Sequence, residues 1–415
     1  MRISLLACSL LALIPGTTGA AAYHVIKKVT VTNSSATLTR LTVIMPLAQT
    51  CQYQTVANVS VNTGTVLEVP RTEPADRYVR WSITSGLPGP GQQKEFSCEF
   101  DVMLLPYNFD FSGLSAVNPY DSASNLFQWY TAVSGSYVDP QNAVIRRVGD
   151  SLWVRSSDIV DYARRCYDYV AWAYGYLNPN TGLHTLADIL SAGGGDCGNL
   201  SSIWVSLLRY RKIPARHVVT VRPNATFHVW SEFYLEGYGW IPVDVTAEQS
   251  NPAGDYFGRY DGNGIVMNHG VYLELALGNG STYYAPLLQT YGWWYWGSGS
   301  GIQSGYSITS SVIPDMAVQV AEGDVPDSYD LLPNFPNPFN PSTAIRIRVP
   351  RLSSQSVELK VYDLAGRVVS VLHNGKLSPG LHTFAWTSQS AASGMYIADL
   401  TAGKFRKRIV MTLMR

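Results

Sequence analysis

Gly193 to Thr246 reads GGGDCGNLSSIWVSLLRYRKIPARHVVTVRPNATFHVWSEFYLEGYGWIPVDVT. Leu200, Ile203, Trp204, Leu207 and Leu208 recur there at helical period, which predicts a helix directly after the glycines. Asp196 stands in the N-cap position, so Cys197 falls in the first turn. Unpaired N–H groups and the positive end of the helix dipole favour an anion at that point, and a thiolate is one. Gly193, Gly194 and Gly195 allow a close approach and leave room for a substrate carbonyl. The Cys197 N–H plus one further donor, which the sequence does not identify, would hold the oxyanion.

Ala225 to Leu235 alternates as a strand does, with His228, Trp230, Glu232 and Tyr234 on one face and Phe227, Val229, Phe233 and Leu235 on the other. Glu236 to Gly239 is turn-prone, and Trp240 to Val245 reads as the returning strand. A three-residue loop at Leu235–Gly237 would pair 228 with 244. A five-residue loop at Leu235–Gly239 makes that pair diagonal but keeps both side chains on one face. An even loop separates them unless a bulge intervenes. With an odd loop, Asp244 can accept from one imidazole nitrogen of His228 while the other faces the thiol.

Cys197, His228 and Asp244 thus follow in the order of a thiol triad, within three consecutive blocks: GDC before an apolar helix, IPAR leading into a strand, and HVW followed by GWIPVD. These blocks resemble the core of the transglutaminase-like superfamily, whose members share a papain-like active-site arrangement. The resemblance covers at most a quarter of the chain. It implies an α+β catalytic domain in which Cys197 attacks a peptide or carboxamide carbonyl. His228 would move the proton and Asp244 would fix the imidazole, with no cofactor and no metal. Prokaryotic relatives are more often associated with hydrolysis than with crosslinking, so a protease or amidase acting on a protein or peptide substrate is expected. The alternative is a non-catalytic surface protein that binds peptide or glycan through an aromatic cleft.

The chain's 415 residues suffice for about three domains. Only 14% of them are charged against 46% apolar, a balance more typical of a secreted β-rich protein than of a cytosolic enzyme. The net charge of zero implies no general attraction to nucleic acid. From Asp330 to Arg415, however, eleven Lys/Arg face four Asp/Glu, so a module of +7 is joined to a body of −7. Arg2, the apolar run Ile3–Ile14 and the small residues to Ala22 read as a secretory signal, residues 1–22, too short to span a membrane. No other segment reaches eighteen apolar residues, so no transmembrane segment is expected in the mature chain. In an oxidising compartment Cys51 and Cys98 are expected to form a disulfide. Cys166, on the stripe Ile159, Ala163, Cys166, Val170, Ala173 of a helix capped by Ser156 or Ser157, reads as a buried free thiol. Its pairing with Cys197 would remove the nucleophile.

Residues 23–150 show short alternating runs broken by Gly and Pro, which predict an N-terminal β-sandwich. The catalytic domain is expected over 151–320, with the Gly-, Tyr- and Trp-rich stretch 251–320 continuing its sheet and rimming its cleft. Asp261–Gly264 lacks the carboxylates of a calcium loop and reads as a turn. Either Gly297–Gly305 or the polar 321–330 stretch is the linker. Beyond it, NFPNPFNPST, VYDLAGRVV and SGMYIADLTAGKFRKRIVMTLMR resemble the C-terminal sorting domain of type IX secretion cargo, expected as an all-β, Ig-like sandwich over 331–415. That resemblance implies a secreted or surface location and the secretion machinery as partner. Lys404, Arg406, Lys407 and Arg408 read as a solvated basic patch.

Overall fold

The computed structural model describes residues 21–313 and 329–414, apart from 74, 115–116, 118, 178–181, 252–253, 336, 340–341, 351–354, 378–379 and 388–390. The expected signal segment, except Ala21 and Ala22, and most of the 321–330 linker lie outside the described residues.

The chain is β-rich. It opens with β1 (Ala21–Asn33), β2 (Thr37–Leu47), β3 (Gln54–Val61), β4 (Thr65–Glu68), β5 (Arg77–Ile83) and β6 (Gln92–Leu104). Val25, Lys27, Val29, Val31 and Asn33 form the inward row of β1, as period-two alternation requires. The charged member of that row, Lys27, donates from Nζ to the Pro46 carbonyl (2.5 Å), and burial lowers its pKa to about 8.

Two further strands come from the far side of the segment expected to be catalytic, β15 (Gly292–Ser298) and β16 (Ile302–Val312). They complete two four-stranded antiparallel sheets, β16-β1-β6-β3 and β15-β2-β5-β4. Both sheets contribute to one core that includes Val29, Leu41, Val43, Trp81, Phe96 and Phe100. The expectation that residues 251–320 belong wholly to the catalytic sheet is therefore corrected. Thr309 pairs with Ile26 and Trp294 with Thr42, and Gly297–Gly305 is the end of β15, the turn 299–301 and the start of β16 rather than a linker. Ile302, Tyr306 and Ile308 alternate with polar residues, and they pack on the N-terminal core. An alternating strand says which face it buries, not which sheet edge it joins.

The expected Cys51–Cys98 disulfide is also overturned, since both thiols are free. Along the β3–β6 ladder Cys98 lies opposite Val61, while Gln54, three residues after Cys51, lies opposite Leu104. Six residues of strand separate the two levels, roughly 20 Å at strand rise, far beyond disulfide reach. Cys98 instead faces Lys27, its direct partner on β1.

The segment expected to be catalytic contains α1 (Ala143–Trp153), α2 (Ile159–Ala173), β7 (Gly175–Tyr176), α3 (Leu186–Ala192), β8 (Gly194–Gly195) and α4 (Cys197–Tyr210). It continues through β9 (Ala215–Val221), β10 (Phe227–Leu235), β11 (Gly239–Val243), α5 (Val245–Ser250) and β12 (Ile265–His269). The hairpin β13 (Leu273–Ala276) and β14 (Thr282–Ala285) then leads into β15. The cap of α2 is Asp158, which accepts from the N–H groups of Val160 and Asp161, rather than Ser156 or Ser157. Cys166 is fully buried on that helix and unpaired.

The central sheet runs β11-β10-β9-β12, all antiparallel. Ile203, Trp204, Leu207 and Leu208 of α4 join Phe233, Leu235, Ile241 and Val243 in one core. Val218, Trp230 and Val266 form a separate cluster with Tyr53 and Tyr260, the Trp230 and Tyr260 rings stacked at 5.1 Å. Every residue of β9 is buried. Strand β12 is the seam with the N-terminal sheets. Ile265 and Met267 enter the N-terminal core, while the Gln54 side chain bonds both backbone groups of Val266, accepting from its N–H (2.7 Å) and donating to its carbonyl (2.8 Å).

The C-terminal strands form a three-stranded sheet (330–335, 342–349, 380–387) and a four-stranded one (356–363, 368–376, 394–402, 405–413). They share a separate core that includes Leu331, Ile347, Leu359, Trp386, Leu400 and Met411. The basic patch is not simply solvated. Arg406 and Arg408 both bond the buried carboxylate of Asp399, at 2.5 and 2.8 Å, and Lys407 pairs with Asp330 at 2.6 Å.

Candidate active site

Asp196 caps α4 from an extended conformation, its carboxylate accepting from the Asn199 N–H at 3.0 Å. Cys197 is consequently the first helical residue, where the helix leaves backbone N–H groups unpaired. Asn199 locks the turn from within. Its side-chain amide donates to Asp196 (2.7 Å), and its carbonyl oxygen accepts from the His184 N–H (2.8 Å).

The glycines provide the close backbone approach expected of them. Gly193 ends α3 in the left-handed conformation, φ 73°. A Cβ on Gly194 would lie 2.1 Å from the Gly175 carbonyl oxygen, and one on Gly195 would lie 2.4 Å from the Asn199 Cβ. This bare approach lets β7 run parallel to β8, with Tyr176 opposite Gly195. The pairing brings in a residue that the sequence reading missed. Tyr176 is exposed, yet burial of its hydroxyl and the nearby charges of Cys197, Asp196 and Asp244 raise its pKa. Nothing in the sequence signals it, because its position depends on contact across an intervening helix.

The β10–β11 ladder pairs Tyr234 with Trp240 and extends one pair further to Leu235 with Gly239. That is the register of the five-residue alternative, so Asp244 lies diagonal to His228 rather than opposite it. His228 Nε2 meets Asp244 Oδ2 at 2.5 Å, which leaves Nδ1 for the thiol. The other carboxylate oxygen of Asp244 caps α5, accepting from Thr246 N (3.1 Å) and Ala247 N (3.0 Å). One aspartate thus starts a helix and orients the imidazole. Burial alone would lower the His228 pKa, but the Asp244 charge and hydrogen bond, reinforced by Cys197, raise it to about 10. The same pairing, aided by the α5 amides, outweighs burial and holds Asp244 below its ordinary value.

A second histidine, His217, lies under α4 with Nε2 3.0 Å from Ser202 Oγ. Burial, with Arg209 nearby, pushes its pKa down to about 3, so it is neutral. Arg216 and Glu232 form a buried pair at 2.6 Å, with the guanidinium 3.8 Å from the Trp240 ring centroid. No group of three or more metal-ligating side chains occurs among the described residues.

Residues 146–245 match the model of the transglutaminase-like superfamily. The chain carries a transglutaminase-like core. Residues 334–412 match the secretion system C-terminal sorting domain, which marks the chain for type IX export to the cell surface or medium. No helix among the described residues is long and apolar enough to cross a membrane.

Among relatives, an uncharacterised protein of Haemophilus influenzae is 26% identical over a match covering 18% of this chain. The match spans about a third (31%) of that relative's length. Among solved structures, a proposed cysteine protease from Cytophaga hutchinsonii aligns over 71% of this chain and 91% of its own, at 14% identity and TM-score 0.49. Red sea bream transglutaminase aligns over 91% and 92% respectively, at 8% identity and TM-score 0.25. At these scores the structural likenesses carry no functional weight.

Proposed function

We propose that the chain is an exported cysteine enzyme that acts on peptide or carboxamide bonds through a thioester, with Cys197, His228 and Asp244 as its triad. The observation that carries this reading is the pair of roles of Asp244, which caps α5 with one oxygen and holds His228 Nε2 with the other, leaving Nδ1 free for a thiol at a helix start.

His228 takes the thiol proton, and the sulfur attacks the carbonyl carbon. The tetrahedral oxyanion meets the Cys197 N–H and, as second donor, the Tyr176 hydroxyl. As the C–N bond breaks, His228 returns the proton to the leaving amine. A water then adds to the thioester, giving the acid and the free thiol. Hydrolysis is favoured over transfer to a lysine amine because prokaryotic members of the superfamily this core resembles are more often associated with hydrolysis.

The test is alkylation by iodoacetamide at graded pH, mapped by mass spectrometry, alongside release of amine from a casein substrate. Cys197 is expected to label fast well below pH 8 and to slow in His228→Ala. Tyr176→Phe is expected to lower turnover while leaving Cys197 fast. Faster labelling of Cys166, or a disulfide at Cys197, would sink the mechanism. Incorporation of a primary amine in preference to hydrolysis would move the reading to crosslinking.

A further inference from the structure

A cavity of about 270 Å³ is lined by Leu275, Tyr283, Leu287, Leu288, Tyr291 and Trp294, among others. Its walls are bound to the candidate site by two contacts. Leu287 lies 3.7 Å from where a Cβ on Gly198 would be, against the turn that presents Cys197. One residue beyond the lining Leu288, Gln289 donates from Nε2 to the carbonyls of Thr220 (3.2 Å) and His228 (3.4 Å). The cavity is thus anchored next to the nucleophile's turn and the imidazole's backbone at once. Tyr283 and Trp294 pack together on one side of it, ring centroids 5.0 Å apart.

We infer that this cavity is a substrate subsite that takes one large apolar or aromatic side chain of an extended peptide, close to the bond attacked. The inference rests on the reading of Cys197 as the nucleophile. Size argues for one side chain, since whole small-molecule ligands occupy roughly 300–1,000 Å³. Chemistry argues for an uncharged one. No Asp, Glu, Lys, Arg or His is among the described lining residues, so a charged side chain would lose its water without gaining a partner. The thiol alongside calls for an acyl substrate rather than a glycan. One wall, with Trp293 and Trp294, comes from β15, a strand of the N-terminal sheets, which gives those sheets a part in selecting substrate.

The test uses the full chain and a set of peptidyl acyloxymethyl ketones that differ only in one side chain near the reactive carbonyl. Labelling of Cys197 is followed by mass spectrometry and normalised, for each protein, to its own iodoacetamide rate. At one position Phe or Leu is expected to label faster than Asp or Lys by roughly tenfold or more. Tyr283→Ala, at an exposed ring, is expected to reduce that preference, and Trp294→Ala, whose ring packs against it, to do the same. A flat profile with fast iodoacetamide labelling overturns the subsite alone. A preference untouched by both variants also overturns it, as does protection of Cys197 by an oligosaccharide but not by a Phe peptide. An unreactive Cys197 in the wild type overturns the thiol reading and the subsite with it.

Discussion

Asp244 carries a charge and a cap, and the two are separable because they use different oxygens. Asp244→Asn keeps an acceptor for the α5 amides and puts a neutral N–H donor, in place of the charged acceptor, opposite His228. His228 has its folded pKa raised above the ordinary imidazole value of about 6.5. The stability it gains is fully present below that pH and is lost as pH rises through the folded value of about 10. Asp244 has its folded pKa lowered, so its share is present above about 3.9 and is lost as acid protonates it. The stability gap between wild type and Asp244→Asn, measured by urea unfolding, is therefore expected to be widest between about pH 4 and 6.5. It should narrow steadily towards pH 10, and a gap independent of pH would mean that the cap alone matters. The cysteine, histidine and aspartate are legible in the sequence because each sits in a recognisable local setting. Tyr176, Glu232 and Arg216 are not, because buried pairing and cross-helix approach depend on where elements meet.

At the scale of elements, the helix at Cys197 and the hairpin that follows are legible because both obey a period. The turn fixes the hairpin register only to a small set, and tertiary packing selects among them: the diagonal register lets Val243 enter the core beneath α4 while Asp244 opens α5. The parallel contact of β7 with β8 has no periodic signature at two residues each, so only its glycines hint at it. Gly194 is the sensitive member. A methyl there must displace the Gly175 backbone, whose carbonyl oxygen would be 2.1 Å away. Gly194→Ala is thus expected to shift β7 and lower turnover several-fold, without the loss of the core that a buried-leucine truncation in α4 would bring. A variant with unchanged alkylation and turnover would show that Tyr176 and the β7 segment have no role at the thiol. Gly193→Ala tests a different property of the same run, since φ 73° strains any side chain but meets no neighbour within 4 Å.

At the scale of the whole molecule, the order of segments in the chain is not the order of bodies in space. The N-terminal sheets need β15 and β16, so they close only after the entire catalytic segment has been inserted between β6 and β15. Sequence pattern could not show this, because an edge strand carries the same alternation whichever sheet it joins. The consequence is a sharp dependence on where the chain is cut. A stop near Val325 removes the sorting domain and leaves both N-terminal sheets whole. Its product is expected to unfold at a temperature near that of the intact protein and to keep fast alkylation at Cys197, while export to the surface or medium is lost. A stop near Tyr291 removes one strand from each sheet and one wall of the aromatic cavity. It leaves inward-facing residues of β1 and β2, such as Val29 and Val43, without their neighbours. That product is expected to be insoluble or to melt far lower, and to lose controlled alkylation even though the triad lies wholly upstream. The sorting domain, with its own core, is expected to fold when expressed alone. Equal stability of the two truncated chains would show that β15 and β16 are dispensable appendages and that the catalytic segment stands independently of the N-terminal sheets.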